Sequence, residues 1–229
     1  MSISRREKLK LVYQDTLDYA FKINGNKKLS SSVKHELNDD KLIFETNNDN
    51  VNILVYNEDV IQVAIDLKEN IEKSEKILIL NLASRKHFGG GTKNGAMAQE
   101  EELFRKTDYA LHKGKELYPL DIDEFVTTLD VLILKDKYYN KLPENKHFYV
   151  DMLAMPGLNK PQLINTSEGE KLNKRDYDIT FDKIENIFKF AIKNGNKNVV
   201  LGALGCGVFR NPPLEIIDIY NKCLKIYSK

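Results

Sequence analysis

Residues 88–102 read Phe-Gly-Gly-Gly-Thr-Lys-Asn-Gly-Ala-Met-Ala-Gln-Glu-Glu-Glu, and this stretch decides the fold. A short, mostly apolar run at residues 76–80 precedes it and predicts a buried strand. Apolar residues at helical spacing follow the stretch and predict a helix that begins near its glutamine. Three consecutive glycines at a strand end let the backbone lie directly against a ligand, and their N–H groups can form an anion-binding nest. The sequence therefore predicts a ligand-binding loop between a buried strand and a helix.

The three glutamates of this stretch cannot all face one site, because neighbouring helix positions point about 100° apart. Glu100 is expected on the inward, apolar side, and Glu102 is expected on the solvent side with Arg105 and Lys106. Glu101 is expected at the border, near the loop. The helix dipole favours acidic residues at a helix N-terminus and explains Glu100 and Glu102 without any function, but it does not explain the three adjacent glycines.

A second glycine turn, Gly-Cys-Gly-Val-Phe-Arg-Asn-Pro-Pro at residues 205–213, follows another predicted buried strand at residues 198–204. Asn211 is predicted to be the N-cap of the next helix and Pro212 its first residue. A glycine turn between a strand end and a helix N-terminus is a potential anion site. Two such turns at the carboxyl ends of strands could hold a diphosphate from both sides. A Rossmann site is disfavoured, because the third glycine is missing and the turn lies in the last unit of the chain.

The rest of the chain predicts further helices and strands. An amphipathic helix is predicted over residues 4–22, with a capping box formed by Ser4 and Glu7. Its expected inward stripe is Leu9, Leu11, Val12, Leu17, Ala20 and Phe21. Asn57 suits the N-cap of a second helix, and a further helix is predicted over residues 180–194. Strands are predicted at residues 41–45, 51–56, 127–134 and 147–155, and a polar surface loop at residues 162–178.

Composition excludes several classes of protein. The 229 residues carry 35 basic and 34 acidic side chains, so the chain lacks the basic excess of a dedicated nucleic-acid binder. Two cysteines are too few for a disulfide framework or a zinc site. We expect no signal peptide, no membrane span and no metal. A cytoplasmic location is expected, or the host cytosol or nucleus if the protein is encoded by a virus.

The triple glycine, the spacer and the Gln-Glu-Glu resemble the signature of the poly(ADP-ribose) glycohydrolases. Asn-Leu-Ala-Ser at residues 81–84 and Asn-Gly-Ala-Met-Ala-Gln-Glu-Glu at residues 94–101 look like the microbial branch of that family. The resemblance covers most of residues 4–224. It implies an α/β fold that is macrodomain-like, a three-layer α/β/α arrangement with a mixed, mostly parallel central sheet. Residues 1–40 would form an N-terminal helical extension packed on the core, and residues 41–229 the catalytic domain.

The resemblance implies hydrolysis of ribose–ribose O-glycosidic bonds in poly(ADP-ribose), with release of ADP-ribose and no cofactor. Glu101 would be the general acid/base, and Glu100 would hold ribose hydroxyls. Phe209 would pack against the distal ribose, and Glu58 or Asp59 would contact adenine. The other positions assigned to substrate binding by resemblance are Ser84, Gly89, Gly90, Gly91, Gln99, Asn159, Gly205, Cys206, Gly207 and Val208.

Other readings of the same pocket remain open. One is a hydrolase of mono-ADP-ribose on protein or nucleic acid, another is a non-catalytic ADP-ribose-binding module, and a third is a nucleotide-binding scaffold. The intact Gln99-Glu100-Glu101 disfavours a module that only binds, because binding alone does not require an acid at that position. The implied partners are poly(ADP-ribose) or other ADP-ribosylated macromolecules, and the chain is expected to be a monomer that contacts no membrane.

Overall fold

A computed structural model describes residues 3–37, 51–167 and 169–227, so the strand predicted at residues 41–45 lies outside the described part of the chain. None of the helices in these ranges is long and apolar enough to cross a lipid bilayer. The helices are α1 (Arg5–Asn24), α2 (Val60–Asn70), α3 (Gln99–Lys106), α4 (Lys174–Asn194) and α5 (Pro213–Tyr227). The strands are β1 (Val33–Glu36), β2 (Lys76–Asn81), β3 (Glu124–Ile133), β4 (Phe148–Ala154), β5 (Leu163–Thr166), β6 (Gly169–Leu172) and β7 (Asn196–Val200).

The described strands form a central sheet in the order β1-β3-β4-β2-β7, and β5 and β6 form a separate hairpin. Strand β2 pairs in parallel with β4 and with β7, whereas β3 pairs antiparallel with β1 and with β4. The prediction of a mixed sheet is confirmed, although the pairings divide evenly between the two kinds instead of being mostly parallel. Because β4, β2 and β7 run in the same direction, their carboxyl ends meet at one edge of the sheet, the carboxyl edge.

Helices cover both faces of the sheet, which confirms the three-layer α/β/α arrangement. Successive side chains of a strand point to opposite faces, so the continuous apolar run of β2 serves both layers. Ile77 and Ile79 join the core cluster beneath α2 and α3. Leu78 and Leu80 join the cluster beneath α4 and α5. This strand, buried on both sides, positions the first glycine loop.

Helix α1 packs on the core and begins with the predicted capping box. The backbone N–H of Ser4 donates to Glu7 Oε2 at 2.9 Å, and the N–H of Glu7 donates to Ser4 Oγ at 3.3 Å. The predicted stripe was partly wrong, because Leu11 and Phe21 are 60% and 62% exposed. The buried positions recur every three or four residues instead, at Leu9, Tyr13, Thr16, Ala20 and Asn24. The predicted domain boundary at residue 40 lies outside the described residues and stays a prediction.

Four other predicted elements differ from the structure. Residues 51–56 form no strand and are exposed, because no described strand pairs with them. Residues 162–178 contain the β5–β6 hairpin and the first turns of α4 instead of a loop. Strand β7 ends at Val200, so the chain leaves the sheet four residues earlier than predicted. The N-cap of α2 is Asp59 and not Asn57, because the Asp59 carboxylate accepts the first N–H groups of the helix.

Candidate active site

Three loops leave the carboxyl edge of the sheet and contact one another. The first glycine loop (residues 82–98) follows β2, the second glycine loop (residues 201–212) follows β7, and the β4 loop (residues 155–162) follows β4. The strands are adjacent and parallel, so the loops emerge side by side. The two glycine turns predicted to act together therefore lie at the same edge.

Glycines allow this close approach. A Cβ placed at Gly157 would lie 2.7 Å from Gly205 Cα, so the β4 loop rests directly on the second glycine loop. A Cβ at Gly202 would lie 3.3 Å from Leu82 Cδ1, which brings the two glycine loops into contact. The sequence could not show these contacts, because their partners are far apart along the chain.

Glu101 binds the first glycine loop with both carboxylate oxygens. Its Oε1 accepts the backbone N–H of Gly91 at 2.8 Å, and its Oε2 accepts the N–H of Ala98 at 2.8 Å. The residue is 6% exposed. Glu101 therefore lies near the loop, as predicted, and two charge-assisted hydrogen bonds fix its orientation.

Glu100 lies deeper and binds a different part of the loop. Its Oε2 accepts the N–H of Ser84 at 2.7 Å, while Oε1 accepts the N–H of Gly89 at 3.2 Å and Asn81 Nδ2 at 3.4 Å. Burial raises the pKa of Glu100 to about 8, these donors oppose the shift, and the nearby charge of Glu101 adds to it. Glu100 therefore carries its proton at neutral pH.

Both carboxyl groups lie against Gly90, at the position that a side chain would occupy. A Cβ at this position would be 2.5 Å from Glu101 Oε1 and 2.9 Å from Glu100 Oε2. Gly90 also has φ +53°, in the left-handed region. Both features require glycine, because any side chain would displace one of the carboxyl groups. The positions of both carboxyl groups therefore depend on glycine at residue 90.

The nest of N–H groups in the first glycine loop is filled by the protein itself. Gly89 and Gly91 donate to Glu100 and Glu101, and Gly90 donates to the carbonyl of His87 at 2.9 Å. The assignment of Gly89, Gly90 and Gly91 to substrate binding stays a prediction. The loop uses them to orient carboxyl groups on α3.

The second glycine loop has free donors instead. The backbone N–H groups of Gly207, Val208 and Phe209 make no hydrogen bond within the described part of the chain. Val208 is mostly exposed, and Phe209 is half-buried. Successive unpaired N–H groups in a turn suit a phosphate. The anion-binding function predicted for both loops is thus available in the second one.

Asn211 holds the second glycine loop closed and does not cap a helix. Its Nδ2 donates to the carbonyls of Leu158 at 2.7 Å and Gly205 at 3.0 Å, and its side chain is buried. Helix α5 begins at Pro213, so the N-cap prediction for Asn211 and the helix start at Pro212 were wrong. The amide is needed to satisfy carbonyls buried between two loops.

Gln99 and Ser84 use their polar groups within the protein. Gln99 Nε2 donates to the carbonyl of Leu80 at 2.7 Å, and its Oε1 accepts the N–H of Leu82 at 2.8 Å. Ser84 Oγ accepts the backbone N–H groups of Lys86 and His87, both at 3.2 Å. These contacts fix the start of α3 against the end of β2. Their assignment to substrate binding stays a prediction.

The far end of α3 is buried, contrary to the prediction that it faces solvent. The side chains of Arg105 and Lys106 are buried. Both form ion pairs with Glu102, Arg105 at 2.8 Å and Lys106 at 3.2 Å. Lys106 Nζ also lies 2.6 Å from Asp59. Helix α1 covers this face through Thr16, whose hydroxyl donates to the carbonyl of Arg105. Contacts with distant segments therefore override the local charge pattern.

The remaining predicted site residues lie in different surroundings. Glu58 forms an ion pair with Lys137 at 2.5 Å, and Asp59 forms one with Lys106 at the end of α3. Neither ion pair involves a residue of a glycine loop. Asn159 is exposed in the β4 loop. Cys206 is half-buried, and burial raises the pKa of its thiol, which disfavours a nucleophilic thiolate. The adenine contact stays a prediction.

Sequence reasoning assigned no role to Asn81, which is buried beside the carboxyl pair. Its amide is a donor to Glu100. The sequence feature that could have identified Asn81 is its position as a polar residue at the end of a mostly apolar strand. Nearby, the buried hydroxyl of Tyr109 lies next to Thr128 and Asn81, and the buried hydroxyl of Tyr118 makes no hydrogen bond to the residues that the structure describes. Both rings pack around Phe88, which precedes the three glycines.

The structure also has a surface cleft away from this site. A surface cleft at the opposite edge of the sheet is lined by residues that include Lys76 and Val150, and it is remote from the carboxyl pair. Within residues 3–37, 51–167 and 169–227, no group of three His, Cys, Asp or Glu side chains is arranged to hold a metal ion.

Comparisons with known proteins agree with this geometry. The family model "Microbial-type PARG, catalytic domain" matches residues 6–147, which include the first glycine loop but not the second. No curated protein matches the chain. Among solved structures, poly(ADP-ribose) glycohydrolase (PARG) from Thermomonospora curvata has a TM-score of 0.69 at 21% identity, covering 94% of this chain and 85% of that one.

PARG from Deinococcus radiodurans in complex with ADP-ribose has a TM-score of 0.61 at 23% identity, covering 76% of this chain and 71% of that one. The T. curvata enzyme bound to the inhibitor ADP-HPD has a TM-score of 0.65 at 20% identity, with 94% and 84% covered. These similarities establish the shared fold, which extends past the residues matched by the family model. Because the family model matches more than half of the sequence, the chain belongs to the microbial-type poly(ADP-ribose) glycohydrolase family.

Proposed function

We propose that the protein hydrolyses ribose–ribose O-glycosidic bonds of poly(ADP-ribose) and releases ADP-ribose, with Glu101 as the general acid/base. The observation that carries the proposal is the pair of carboxyl groups held against Gly90, at the same edge of the sheet as a loop whose N–H groups make no hydrogen bond to the described residues. Family membership supports the substrate class. The similar structures that hold ADP-ribose or ADP-HPD support ADP-ribose as the ligand.

The second glycine loop would bind the diphosphate of the terminal unit. Gly207, Val208 and Phe209 would donate their free N–H groups to phosphate oxygens. The ring of Phe209 would then pack against the distal ribose. This arrangement holds the scissile bond near the carboxyl pair, and positioning of this kind supplies much of the catalytic effect.

Glu101 would protonate the departing ribose oxygen as an oxocarbenium-like state forms at the anomeric carbon. The bound diphosphate, which is negatively charged, would stabilise the developing positive charge. Glu101 would then accept a proton from the attacking water. Glu100 carries a proton at neutral pH and is held by Ser84, so it would bind ribose hydroxyls without adding a second negative charge.

The experiment incubates the protein with automodified polymer and, separately, with a mono-ADP-ribosylated protein. We expect free ADP-ribose from the polymer, with the last protein-linked unit left in place. Release from the mono-modified protein alone would assign the chain to the mono-ADP-ribosyl hydrolases. Binding of ADP-ribose by calorimetry without release from either substrate would identify a non-catalytic module.

A further inference from the structure

Two cations beside the second glycine loop have a backbone conformation that lysine and arginine rarely adopt. Lys160, in the β4 loop, has φ +52°, and Arg210, in the second glycine loop, has φ +57°. This left-handed conformation is strained for a residue with a Cβ and is favoured by glycine, asparagine and aspartate. Strain of this kind clusters where a protein holds a ligand. The two positions therefore direct attention to the charges that their side chains carry.

The backbone holds these two residues beside each other. The N–H of Lys160 donates to the carbonyl of Phe209 at 2.8 Å, and Arg210 directly follows Phe209. The Cα atoms of Lys160 and Arg210 are therefore within roughly 7 Å of one another, from standard bond lengths. The N–H of Arg210 donates to the carbonyl of Gly207 at 3.0 Å and closes the turn. Both cations are thus attached to the turn that carries the free N–H groups.

Both side chains are accessible, and their charge is not compensated by the surrounding chain. Lys160 and Arg210 are exposed, and their side chains form no hydrogen bond or ion pair with the residues that the structure describes. The two segments that carry them, residues 152–167 and 196–214, contain no aspartate or glutamate, although the whole chain has 34 acidic residues. The surface beside the free N–H groups is therefore positively charged and open to a ligand.

We propose that Lys160 and Arg210 form a cation clamp, which holds the diphosphate of ADP-ribose against the second glycine loop from the solvent side. The proposal rests on the proposed function, in which the free N–H groups of this loop bind the diphosphate. The N–H groups would contact the phosphate oxygens from the protein side, and the two cations would contact them from the other.

The chemistry of the clamp suits a ligand with two charged phosphates. Backbone N–H groups carry only partial charges, whereas the clamp supplies two full positive charges. The guanidinium of Arg210 can bind two phosphate oxygens at once, and the ammonium of Lys160 adds a compact charge. Glycine or asparagine would relieve the strain at either position but could not supply this charge. The clamp would hold the diphosphate equally before and during the reaction, so it should act on KM more than on kcat.

The test measures the binding of ADP-ribose by calorimetry to Lys160→Asn and Arg210→Asn. Asparagine tolerates the left-handed conformation, so each change removes a charge without adding strain. Lys197→Asn is the control, because Lys197 is 74% exposed near the amino end of β7, away from the loop at its carboxyl end. We expect the Kd for ADP-ribose to rise about tenfold in each clamp variant, which corresponds to about 1.4 kcal/mol. The control should stay within about twofold of wild type.

Two further measurements separate the loss of charge from a change in structure. The asparagine variants should melt at the wild-type temperature or above it, since asparagine fits the backbone better. Their affinity for ADP-ribose should also fall less steeply with added salt, because a contact between opposite charges has been removed. Arg210→Lys keeps the charge and should recover most of the wild-type affinity.

The proposal is overturned if both asparagine variants bind ADP-ribose within about twofold of the Lys197→Asn control. A weaker affinity with an unchanged salt dependence would also overturn it, as would a wild-type protein that does not bind ADP-ribose. The proposed function fails by a different result, which is binding of ADP-ribose without its release from the polymer. In that case the same binding measurements still decide whether the clamp exists.

Discussion

Replacing Gly90 with alanine tests whether the first glycine loop exists to orient the carboxyl pair. The added Cβ would lie 2.5 Å from Glu101 Oε1, 3.3 Å from Glu101 Cδ and 2.9 Å from Glu100 Oε2. Ordinary contact between a carbon and an oxygen atom requires about 3.5 Å. The Glu101 carboxylate must therefore move by about 1 Å, or the loop must move away from it.

The expected effect on catalysis is large because the displaced atoms are the reacting ones. A misplacement of about 1 Å costs on the order of 100-fold in rate. The left-handed backbone, with φ +53°, adds a cost of about 1–3 kcal/mol in stability for a residue other than glycine. We therefore expect Gly90→Ala to lower kcat for polymer by about 100-fold or more, with a moderate loss of stability.

Gly195→Ala is the control for backbone strain. Gly195 has φ +72° in the left-handed region, and a Cβ at this position would meet nothing within 4 Å. Both variants should lose stability in urea unfolding, whereas only Gly90→Ala should lose turnover. The argument is refuted if Gly90→Ala keeps kcat within about threefold of the Gly195→Ala value, since that would mean no displacement of the carboxylate.

Three further outcomes follow from the site. The folded protein holds a proton on Glu100 that the unfolded chain releases between pH 4.5 and about 8. Stability should therefore fall as pH rises through this window, by at most about 1.4 kcal/mol per unit, and Glu100→Gln should remove that slope in urea unfolding from pH 5 to 8. Asn211→Ala leaves the carbonyl of Leu158 without its donor and removes one of the two hydrogen bonds to the carbonyl of Gly205, so it should cost about 1–3 kcal/mol, with weaker ADP-ribose binding by calorimetry. Tyr118→Phe removes a buried hydroxyl that has no hydrogen-bond partner among the described residues, so the melting temperature of the variant should be unchanged or higher; a drop of several degrees would reveal a missing contact.

The elements that the sequence predicted well depend on local chemistry. The apolar run of β2, the glycines after it and the start of α3 are set by residues close together along the chain, as is the capping box of Ser4 and Glu7. Periodicity also separated Glu101, which lies near the loop, from Glu100, which lies deeper. These features needed no knowledge of distant partners.

The errors come from contacts between distant segments. Arg105 and Lys106 have the composition of a solvent-facing turn, yet α1 and Asp59 cover them. Asn211 precedes two prolines and suits an N-cap, but its amide is used by the carbonyl of Leu158, more than fifty residues earlier. Residues 51–56 have the composition of a strand, and a strand forms only where another strand pairs with it.

The two glycine loops differ in how the protein uses their backbone N–H groups. Glycine content alone makes the two loops look equivalent, because both offer flexible backbone at a strand end. The glutamates at the start of α3 accept the N–H groups of Gly89 and Gly91, whereas those of Gly207, Val208 and Phe209 make no hydrogen bond to the described residues. A sequence motif can show that donors exist, but only the fold shows which of them are already used.

The most direct test of the account is the rate of ADP-ribose release from poly(ADP-ribose) by Glu101→Gln, measured together with its affinity for ADP-ribose. Glutamine keeps the shape of the side chain and an oxygen that can accept the N–H of Gly91. We expect the affinity for ADP-ribose to stay within about threefold of wild type and the release rate to fall by at least about 100-fold, as removal of a general acid requires. Release at the wild-type rate by the purified variant would contradict the assignment of Glu101.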